Sequence, residues 1–267
     1  MASAWFRVVN RVPSILSRTC SSDRIDATLQ LLHEVYEDEA YCDLPGEIDL
    51  WLYADDIPPN ELCLAYSSCP GSEVIAIPSF VNGIAFIPAL SEFAEQCETD
   101  LNIPFEDRED VLFWIGGLTE YRSRTLSLMS QAPHTEFRMG YDPATLVSLA
   151  QHNKYKYLLD LQGIGWSMRL MWLMWLGSVV FVLDRDFHEY WFRDNFEPWV
   201  HYVPVAHDGS DLQVVYDKVR AMPDKGKHIA DACRERARVV LTKERAKGRL
   251  AEAIGIYASR SGQKNAA

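Results

Sequence analysis

The chain has 267 residues, of which 48% are hydrophobic, and a formal net charge of −12 at pH 7. This length is sufficient to bury a substantial core, and it allows two small lobes. The acidic balance argues against a protein that coats nucleic acid, since that class needs clustered lysine and arginine to neutralise phosphates. Any anionic ligand must therefore be held by local donors rather than by the overall field of the protein.

The N-terminal segment and the cysteines bear on cellular compartment. Residues 1–19 contain arginines and Pro13, which interrupt a signal-peptide core, and they resemble a transit peptide only weakly. The six cysteines form no C-x-x-C pair. We expect reduced thiols, although five cysteines in the first 97 residues leave a disulfide-bonded N-terminal lobe open. The longest apolar stretch, Leu170–Leu183, is too short to span a membrane, and we expect a cytoplasmic protein.

The first half of the chain alternates between helical and strand-like patterns. Asp55 and Asp56 follow one of the predicted strands, where the chain enters a Pro-rich loop, and Gly116-Gly117 forms a turn after another. In chain order, the periodicity predicts a helix over Ile25–Tyr36, strands over Ile48–Tyr53, Val74–Ile77 and Val111–Ile115, a helix over Arg122–Met129, and a connector over 131–143.

The second half begins with an apolar run, Tyr157–Leu161, that has the length of a strand. Gly163 and Gly165 allow a sharp turn and close approach of a ligand to the backbone. Ser167 and Arg169 then open a helix, whose free N–H groups and dipole favour an anion such as a diphosphate. The remaining predicted elements are a buried helix and strand within Leu170–Leu183 and helices over Asp211–Met222 and His228–Tyr257.

Strands that alternate with helices predict an α/β fold with parallel sheets, whose ligands bind at the carboxyl ends of the strands. We place the lobe boundary in the connector. The predicted domains are an N-terminal lobe over residues 1–140, a ligand-binding lobe over 141–225, and a C-terminal helix over 226–267 that packs back towards the N-terminal lobe.

One stretch of about 60 residues resembles glycosyltransferase family 90, the Rumi-like or capsule-associated-protein-like enzymes. Four elements of the family pattern occur here in the order that the family has them. They are K-Y-x-x-x-x-[DN]-x-x-G-x-x-x-S-x-R, a G-S strand, a glutamate and P-W-x-H-Y-[IV]-P-V. Upstream, the Phe113–Gly117 segment with Arg122 and Arg124 resembles the F-R-G segment of the family more loosely. The matching residues are Lys154, Tyr155, Asp160, Gly163, Ser167, Arg169, Gly177, Ser178, Glu189, Pro198, Trp199, His201, Tyr202 and Pro204.

The resemblance implies a GT-B-like fold, with two Rossmann-like lobes and a nucleotide-sugar cleft between them. It implies that a UDP-sugar is the donor, that a glycan or glycoprotein is the acceptor, and that no cofactor is needed. Within that pattern Arg169 is the expected diphosphate contact, Glu189 the expected acceptor of hydrogen bonds from the ribose, and Lys154 a structural or acceptor-side residue. The donor-site residues are predicted to be Arg169, Ser167, Gly163, Gly165, Gly116, Gly117, Arg122, Arg124, Glu189 and Lys154.

The catalytic base is the point where the chain departs from the family. Inverting sugar transfer needs a base that takes the proton of the acceptor hydroxyl. The family supplies an aspartate shortly before a proline in its N-terminal lobe, and the corresponding segment here, residues 82–88, contains no acid. Asp55 and Asp56 are the replacement candidates, and Glu92 is a weaker one.

Asp184 and Asp186 form a D-x-D after an apolar strand, a pattern that holds manganese in metal-dependent glycosyltransferases. The surrounding resemblance is to metal-independent enzymes, so no metal site is assigned and a divalent metal is not expected to be essential.

We therefore expect an inverting glycosyltransferase. Xylose is the favoured sugar because the chain resembles short, virus-encoded members of xylosyltransferase type, and glucose is the alternative. Two other classes stay open. Residues 161–165 resemble a helix-hairpin-helix turn of DNA-binding modules, although basic residues do not follow it. A non-catalytic relative would bind a nucleotide or a partner without turnover.

Overall fold

The computed structural model describes residues 2–79, 81–83, 89–99, 103–129, 132–139 and 147–262. The chain divides into two compact units. The first comprises Met1–Ser91, Asp186–Phe192 and Leu241–Ala267, and the second comprises Glu92–Arg185 and Arg193–Val240. No helix in the described ranges combines the length and apolarity that crossing a lipid bilayer requires. The six cysteines are all unpaired, which agrees with the expectation of reduced thiols.

The first unit is built on a five-stranded sheet in the order β2-β1-β3-β4-β5. The strands are β1 (Ser3–Val9), β2 (Val12–Arg18), β3 (Ile48–Tyr53), β4 (Leu64–Ala65) and β5 (Ile75–Ala76). The pairs β3–β4 and β4–β5 are parallel, whereas β1 is antiparallel to both β2 and β3. Asn10 and Arg11 join β1 to β2 with φ of 52° and 63°, as the right-handed twist of a two-residue hairpin requires.

Helices α1 (Asp23–Glu37) and α7 (Lys243–Ser261) complete the first unit and pack against each other. The helix predicted over Ile25–Tyr36 is confirmed, and its buried residues recur at the predicted helical spacing. The strand predicted over Ile48–Tyr53 is confirmed as β3, and the strand predicted over Val74–Ile77 contains β5.

The second unit has a five-stranded sheet in which every pair of neighbours is parallel, in the order β10-β9-β8-β6-β7. Its strands are β6 (Glu109–Gly116), β7 (Thr135–Met139), β8 (Tyr155–Asp160), β9 (Val179–Leu183) and β10 (Val203–Val205). Its helices are α2 (Leu90–Thr99), which begins in the first unit, α3 (Glu120–Leu128), α4 (Leu170–Trp175), α5 (Leu212–Arg220) and α6 (Pro223–Val240).

The strand order of the second unit determines where a ligand can bind. After β6 the chain moves outwards to β7 and then returns past β6 to form β8, so the direction of winding reverses between β6 and β8. In open parallel sheets of this order, a crevice opens at the carboxyl ends of the two strands that flank the reversal. The core beneath it includes Trp114, Tyr157, Phe181 and Tyr216, all nearly or fully buried.

The predicted α/β class with two lobes is confirmed by two α/β units built on parallel strands, and the first unit additionally carries the antiparallel β1–β2 hairpin. The predicted boundary near residue 140 lies outside the described residues. Because β6 and β7 pair in the same sheet as β8, the sheet of the second unit includes strands that precede residue 141.

The prediction of a single helix over His228–Tyr257 was wrong in one respect, because the chain forms two helices there. The break follows Val240, and the Thr242 side chain accepts a hydrogen bond from the Arg245 N–H, 3.2 Å away, which caps α7. The predicted return of the C-terminal segment to the first lobe is seen for α7, whereas α6 belongs to the second unit.

His152 makes the stability of the second unit depend on pH. Its ring is buried, and Nδ1 donates to the Ser148 carbonyl oxygen at 2.8 Å. Burial lowers the pKa of His152 from 6.5 to about 4. The folded protein thus binds fewer protons than the unfolded chain between these values, so stability is fully present above pH 6.5 and falls as the pH drops towards 4.

We predict that the wild-type protein loses roughly 3 kcal/mol of unfolding free energy through His152 across this window. His152→Asn keeps a donor for Ser148 but does not titrate, so urea titrations at several pH values should show a shallower pH dependence. His228→Leu, at an exposed position, is the control and should keep the wild-type slope. An unchanged slope in His152→Asn would contradict the assignment.

Candidate functional site

The crevice of the second unit is formed where three parallel strands end. β6 ends at Gly116, β8 at Asp160 and β9 at Leu183. The segments that follow these strands bring polar groups to the same edge of the sheet, as expected for carboxyl ends of parallel strands. The group that connects these segments is the carboxylate of Asp160, which is 0% exposed.

Asp160 is hydrogen-bonded and paired on both carboxylate oxygens. Oδ1 accepts a hydrogen bond from the Ser167 hydroxyl, and Oδ2 lies 2.5 Å from Nη2 of Arg185. Burial on its own would raise the pKa of Asp160, but the charges of Arg185 and Arg169 and the hydrogen bonds from Ser167 and Arg185 together lower it. Asp160 is therefore a buried, ionised carboxylate.

Arg169 lies beside this carboxylate at the edge of the crevice. Its Nε is 3.8 Å from Asp160 Oδ1, and its Nη1 donates to the Ile115 carbonyl oxygen at the end of β6. The guanidinium carbon is 5.3 Å from the centre of the Trp114 ring, a cation–π distance. The side chain is 18% exposed, so a ligand in the crevice can reach part of it.

The prediction that a helix N-terminus supplies the anion site needs correction. Helix α4 does begin at Leu170, but it has only six residues, and the Ser167 hydroxyl binds Asp160 instead of capping it. A helix of less than two turns has few aligned peptide dipoles. The positive field at this place therefore comes from guanidinium groups.

Arg122, at the start of α3, connects the segment after β6 with the segment after β8. Its Nε donates to the Gln162 carbonyl oxygen at 2.9 Å, Nη1 to the Gly117 oxygen at 2.8 Å, and Nη2 to the Leu161 oxygen at 3.3 Å. The same guanidinium lies 5.7 Å from the Trp114 ring centre. Arg122 and Arg169 thus both lie close to the same indole ring.

The predicted glycines lie in the two segments that Arg122 joins. A Cβ on Gly116 would lie 3.0 Å from the Trp114 ring, and a Cβ on Gly163 would lie 3.1 Å from the Trp166 carbonyl oxygen. A larger residue at either position would make an unusually tight contact, which its neighbour could relieve only by shifting. Gly117 supplies a carbonyl to Arg122, and Gly165 is buried in the loop after β8.

The inner part of the crevice contains several guanidinium groups. Those of Arg122, Arg169 and Arg185 are partly or fully buried there, and the described carboxylate of Asp160 pairs with two of them. In the described part of the chain Arg122 donates to carbonyl groups and pairs with no carboxylate. Asp184 lies at the exposed rim. The crevice can hold an anion although the chain is acidic overall.

Three further predicted donor-site residues are Lys154, Arg124 and Glu189. Lys154 directly precedes β8, and its Nζ lies 3.6 Å from Glu109 Oε1 at the start of β6. It is therefore at the amino ends of the strands, roughly 20 Å along β8 from Asp160. Arg124 is exposed on α3. Glu189 belongs to the first unit, where it is 7% exposed and accepts a hydrogen bond from Ser79 at 2.9 Å.

The candidate bases Asp55 and Asp56 follow β3 in the first unit, at the carboxyl end of its parallel strands. Asp56 Oδ1 forms an ion pair with Nη1 of Arg24 at 3.1 Å. Asp55 Oδ1 accepts a hydrogen bond from the Asp56 N–H at 3.1 Å. Glu92 lies in the first turn of α2, belongs to the second unit and is exposed.

A metal site is not evident in the residues that the structure describes, which contain no group of three His, Cys, Asp or Glu side chains placed to hold an ion. Asp184 and Asp186 are both exposed, and the intervening Arg185 places a cation between them in the sequence. The D-x-D pattern here is part of a segment that carries a buried arginine.

Sequence reasoning missed Arg185 and the role of Asp160, although Asp160 was one of the residues that match the family pattern. The available signal was the position of Arg185 two residues beyond a strand, β9, in which every residue is buried. A charged residue that is itself buried after such a strand needs a partner, and Asp160 at the end of neighbouring β8 provides it.

Comparison with known proteins gives a match between residues 90–260 and the sequence model of the family described as glycosyl transferase family 90. Protein O-glucosyltransferase 1 of Rattus norvegicus is 32% identical over 142 residues, which cover 48% of this chain and 36% of that protein. O-glucosyltransferase rumi of Drosophila pseudoobscura pseudoobscura is 29% identical over 151 residues, 51% of this chain and 36% of that one. The alignments thus span about a third of the length of these relatives.

Among solved structures, sucrose-phosphate synthase from Thermosynechococcus elongatus superposes with a TM-score of 0.44 at 13% identity, covering 72% of this chain and 53% of that one. TarM superposes with a TM-score of 0.45 at 10% identity, covering 70% of this chain and 40% of the other. These similarities are too distant to add to what the strand order establishes.

The bridging role of Arg122 leads to a prediction. Arg122→Met keeps the aliphatic stem beside Trp114 but removes three donors, so the free energy of unfolding should fall by about 2 kcal/mol. Amide hydrogen exchange should accelerate at 117 and 161–163. Arg124→Met, on the exposed face of the same helix, should change stability by less than about 0.5 kcal/mol. Equal exchange rates in both variants would show that Arg122 does not hold the two segments together.

Proposed function

The chain belongs to glycosyl transferase family 90, and from this premise we propose that it transfers a sugar from a UDP-sugar to a hydroxyl group of a glycan or protein, with inversion at the anomeric carbon. The observation that supports the proposal is the cluster of guanidinium groups at the carboxyl ends of β6 and β8, within the matched region. A diphosphate is the part of a nucleotide sugar that needs such charge.

Arg169 is the main diphosphate ligand in this proposal. Its planar guanidinium can donate to two phosphate oxygens at once, and its stem is held at the edge of the crevice by Ile115 and Asp160. Arg122, whose guanidinium also lies close to the Trp114 ring, adds positive charge. Because two guanidinium groups supply the field, we propose that donor binding does not require a divalent metal.

In the chemical step, the acceptor hydroxyl oxygen forms a bond to the anomeric carbon while the bond from that carbon to the β-phosphate oxygen breaks. UDP leaves with the electron pair of the broken bond, and the hydroxyl proton passes to a carboxylate base. Negative charge grows on the β-phosphate as the bond breaks, so arginines at the diphosphate stabilise the transition state more than the ground state.

Asp55 and Asp56 remain the proposed bases. Both follow a parallel strand of the first unit, the position in which α/β sheets present functional groups. Asp56 is paired with Arg24, with Oδ1 and Nη1 3.1 Å apart. Asp55 accepts a hydrogen bond from the Asp56 N–H, and substitution of each carboxylate in turn compares the two candidates directly.

Glucose is the proposed donor sugar, and xylose is the competing one. The curated relatives that match the chain are named O-glucosyltransferases, which supports glucose over the xylose favoured from sequence resemblance. Incubation with UDP-glucose, UDP-xylose and UDP-galactose, each with and without peptide and glycan acceptors, tests the proposal by measured UDP release.

We expect UDP release to be fastest from UDP-glucose, to increase with acceptor, and to persist in excess EDTA. Preferential use of UDP-xylose would reverse the order of the two sugars. Activity that chelation abolishes and manganese restores would assign Asp184 and Asp186 to a metal. Binding of UDP without turnover of any sugar would identify a non-catalytic relative.

Arg169→Ala should weaken UDP binding and lower kcat/KM by roughly 10- to 100-fold or more, because a charge-assisted hydrogen bond contributes about 1.5–3 kcal/mol. Arg169→Lys should recover only part, since an ammonium group cannot donate across two oxygens in a fixed plane. Calorimetry with UDP and a transfer assay measure the two effects.

Asp55→Asn and Asp56→Asn are the contrast, because loss of the base should lower transfer while UDP affinity stays near wild type. Unchanged binding and transfer in Arg169→Ala would refute the donor site.

A further inference from the structure

Arg24 is a cation in the first turn of α1, a position where the helix dipole disfavours positive charge. Its side chain reaches the segment that follows β3. Nη1 donates to the Ala54 carbonyl oxygen, 3.0 Å away, and to Asp56 Oδ1, 3.1 Å away. One nitrogen thus holds both the residue directly after β3 and a candidate base two residues later. The pair with Asp56 offsets the unfavourable position of Arg24 on the helix.

The backbone of Arg24 is fixed by a second group of hydrogen bonds. Its carbonyl oxygen accepts from the Tyr66 hydroxyl at 2.8 Å. The Thr28 hydroxyl lies 2.9 Å from both that carbonyl oxygen and the Tyr66 hydroxyl, and both side chains are buried. Tyr66 directly follows β4, which pairs with β3. The start of α1 is therefore joined to two neighbouring strands, to β4 through its backbone and to β3 through the Arg24 side chain.

The two carboxylate oxygens of Asp56 have different surroundings. Oδ1 is the partner of Arg24, whereas Oδ2 has no hydrogen-bond partner among the residues that the structure describes. The side chain is 32% exposed, so a hydroxyl group of an acceptor can reach it. The last side-chain bond of an aspartate rotates over a broad range, which would exchange the two oxygens. The hydrogen bond from Arg24 restricts this rotation and distinguishes one oxygen from the other.

We propose that Arg24 is a positioning residue, which holds Asp56 by Oδ1 and leaves Oδ2 as the oxygen that takes the proton of the acceptor hydroxyl. That proton moves as the hydroxyl oxygen bonds to the anomeric carbon and UDP leaves. This inference rests on the proposed function, because it assigns the orientation of one of the two proposed bases. Arg24 acts through Asp56 and does not contact the reacting atoms. Its loss should therefore slow transfer without weakening the binding of UDP.

A double-mutant cycle on the full chain tests the proposal, with the faster of UDP-glucose and UDP-xylose as donor. Arg24→Met keeps the aliphatic stem but removes the donors, so kcat should fall roughly tenfold while the Kd for UDP stays within about twofold of wild type. Arg24→Lys keeps the charge and should recover part of the loss. In an Asp56→Asn background, Arg24→Met should change kcat by less than about twofold, because the group that Arg24 positions is already removed.

Arg7→Met is the matched control, because Arg7 Nε and Nη2 each lie 2.7 Å from a carboxylate oxygen of Asp49 in the same unit. It should leave kcat unchanged. Amide hydrogen exchange at residues 54–57 should accelerate in Arg24→Met and stay at wild-type rates in Arg7→Met. This second measurement follows the position of the segment directly and does not depend on turnover.

Equal losses of kcat from Arg24→Met in the wild-type and Asp56→Asn backgrounds would overturn the proposal, because Arg24 would then act on the fold and not through Asp56. Wild-type kcat in Arg24→Met would overturn it as well. Transfer that survives Asp56→Asn but is lost in Asp55→Asn would refute the positioning role and leave the proposed function in place. A wild-type protein that transfers neither sugar would refute the proposed function itself, and the role of Arg24 would fail with it.

Discussion

The buried carboxylate of Asp160 is the constraint on which the candidate site depends. It lies at the end of the middle strand of the second sheet, where it is fully excluded from water. A charge in such a place is stable only if groups around it supply hydrogen bonds and opposite charge. Ser167, Arg169 and Arg185 do so, and in meeting this requirement they fix the loops after β8 and β9. Removal of the carboxylate would therefore affect several segments together.

The same arrangement explains how an acidic chain can present an anion site. The formal net charge is −12, but three arginines are gathered where the winding of the sheet reverses. In a partly buried crevice, nearby charges interact through a lower effective dielectric than surface charges do, and salt screens them less. Local placement therefore outweighs the net charge of the protein for a ligand bound within the crevice.

Sequence patterns predicted the elements of the second unit better than their arrangement. Continuous apolar runs identified β8 and β9, because both strands are buried on both faces. Periodicity contains no information about strand order, so the pairing of β6 and β7 with β8 and the earlier start of this unit could not be read from it. In the first unit, the β1–β2 hairpin was missed because its turn, Asn10-Arg11, lacks the glycine that usually marks such turns.

The site residues divide in a similar way. The glycines were predicted from the turns after β6 and β8, and Arg169 and Arg122 from the family resemblance. Lys154 and Glu189 were predicted from the same resemblance. Lys154 lies at the amino ends of the strands, and Glu189 belongs to the first unit. Arg185 was missed because a partner across two strands is a tertiary contact, which spacing along the chain cannot reveal.

A crystal structure of the protein with UDP bound tests the central claim most directly. The account predicts that the diphosphate lies at the carboxyl ends of β6 and β8, with at least two of its oxygens within hydrogen-bond distance of the Arg169 guanidinium and with Arg185 still paired to Asp160. Well-defined UDP at a different place, or UDP in the crevice with its phosphates turned away from Arg169, would contradict it.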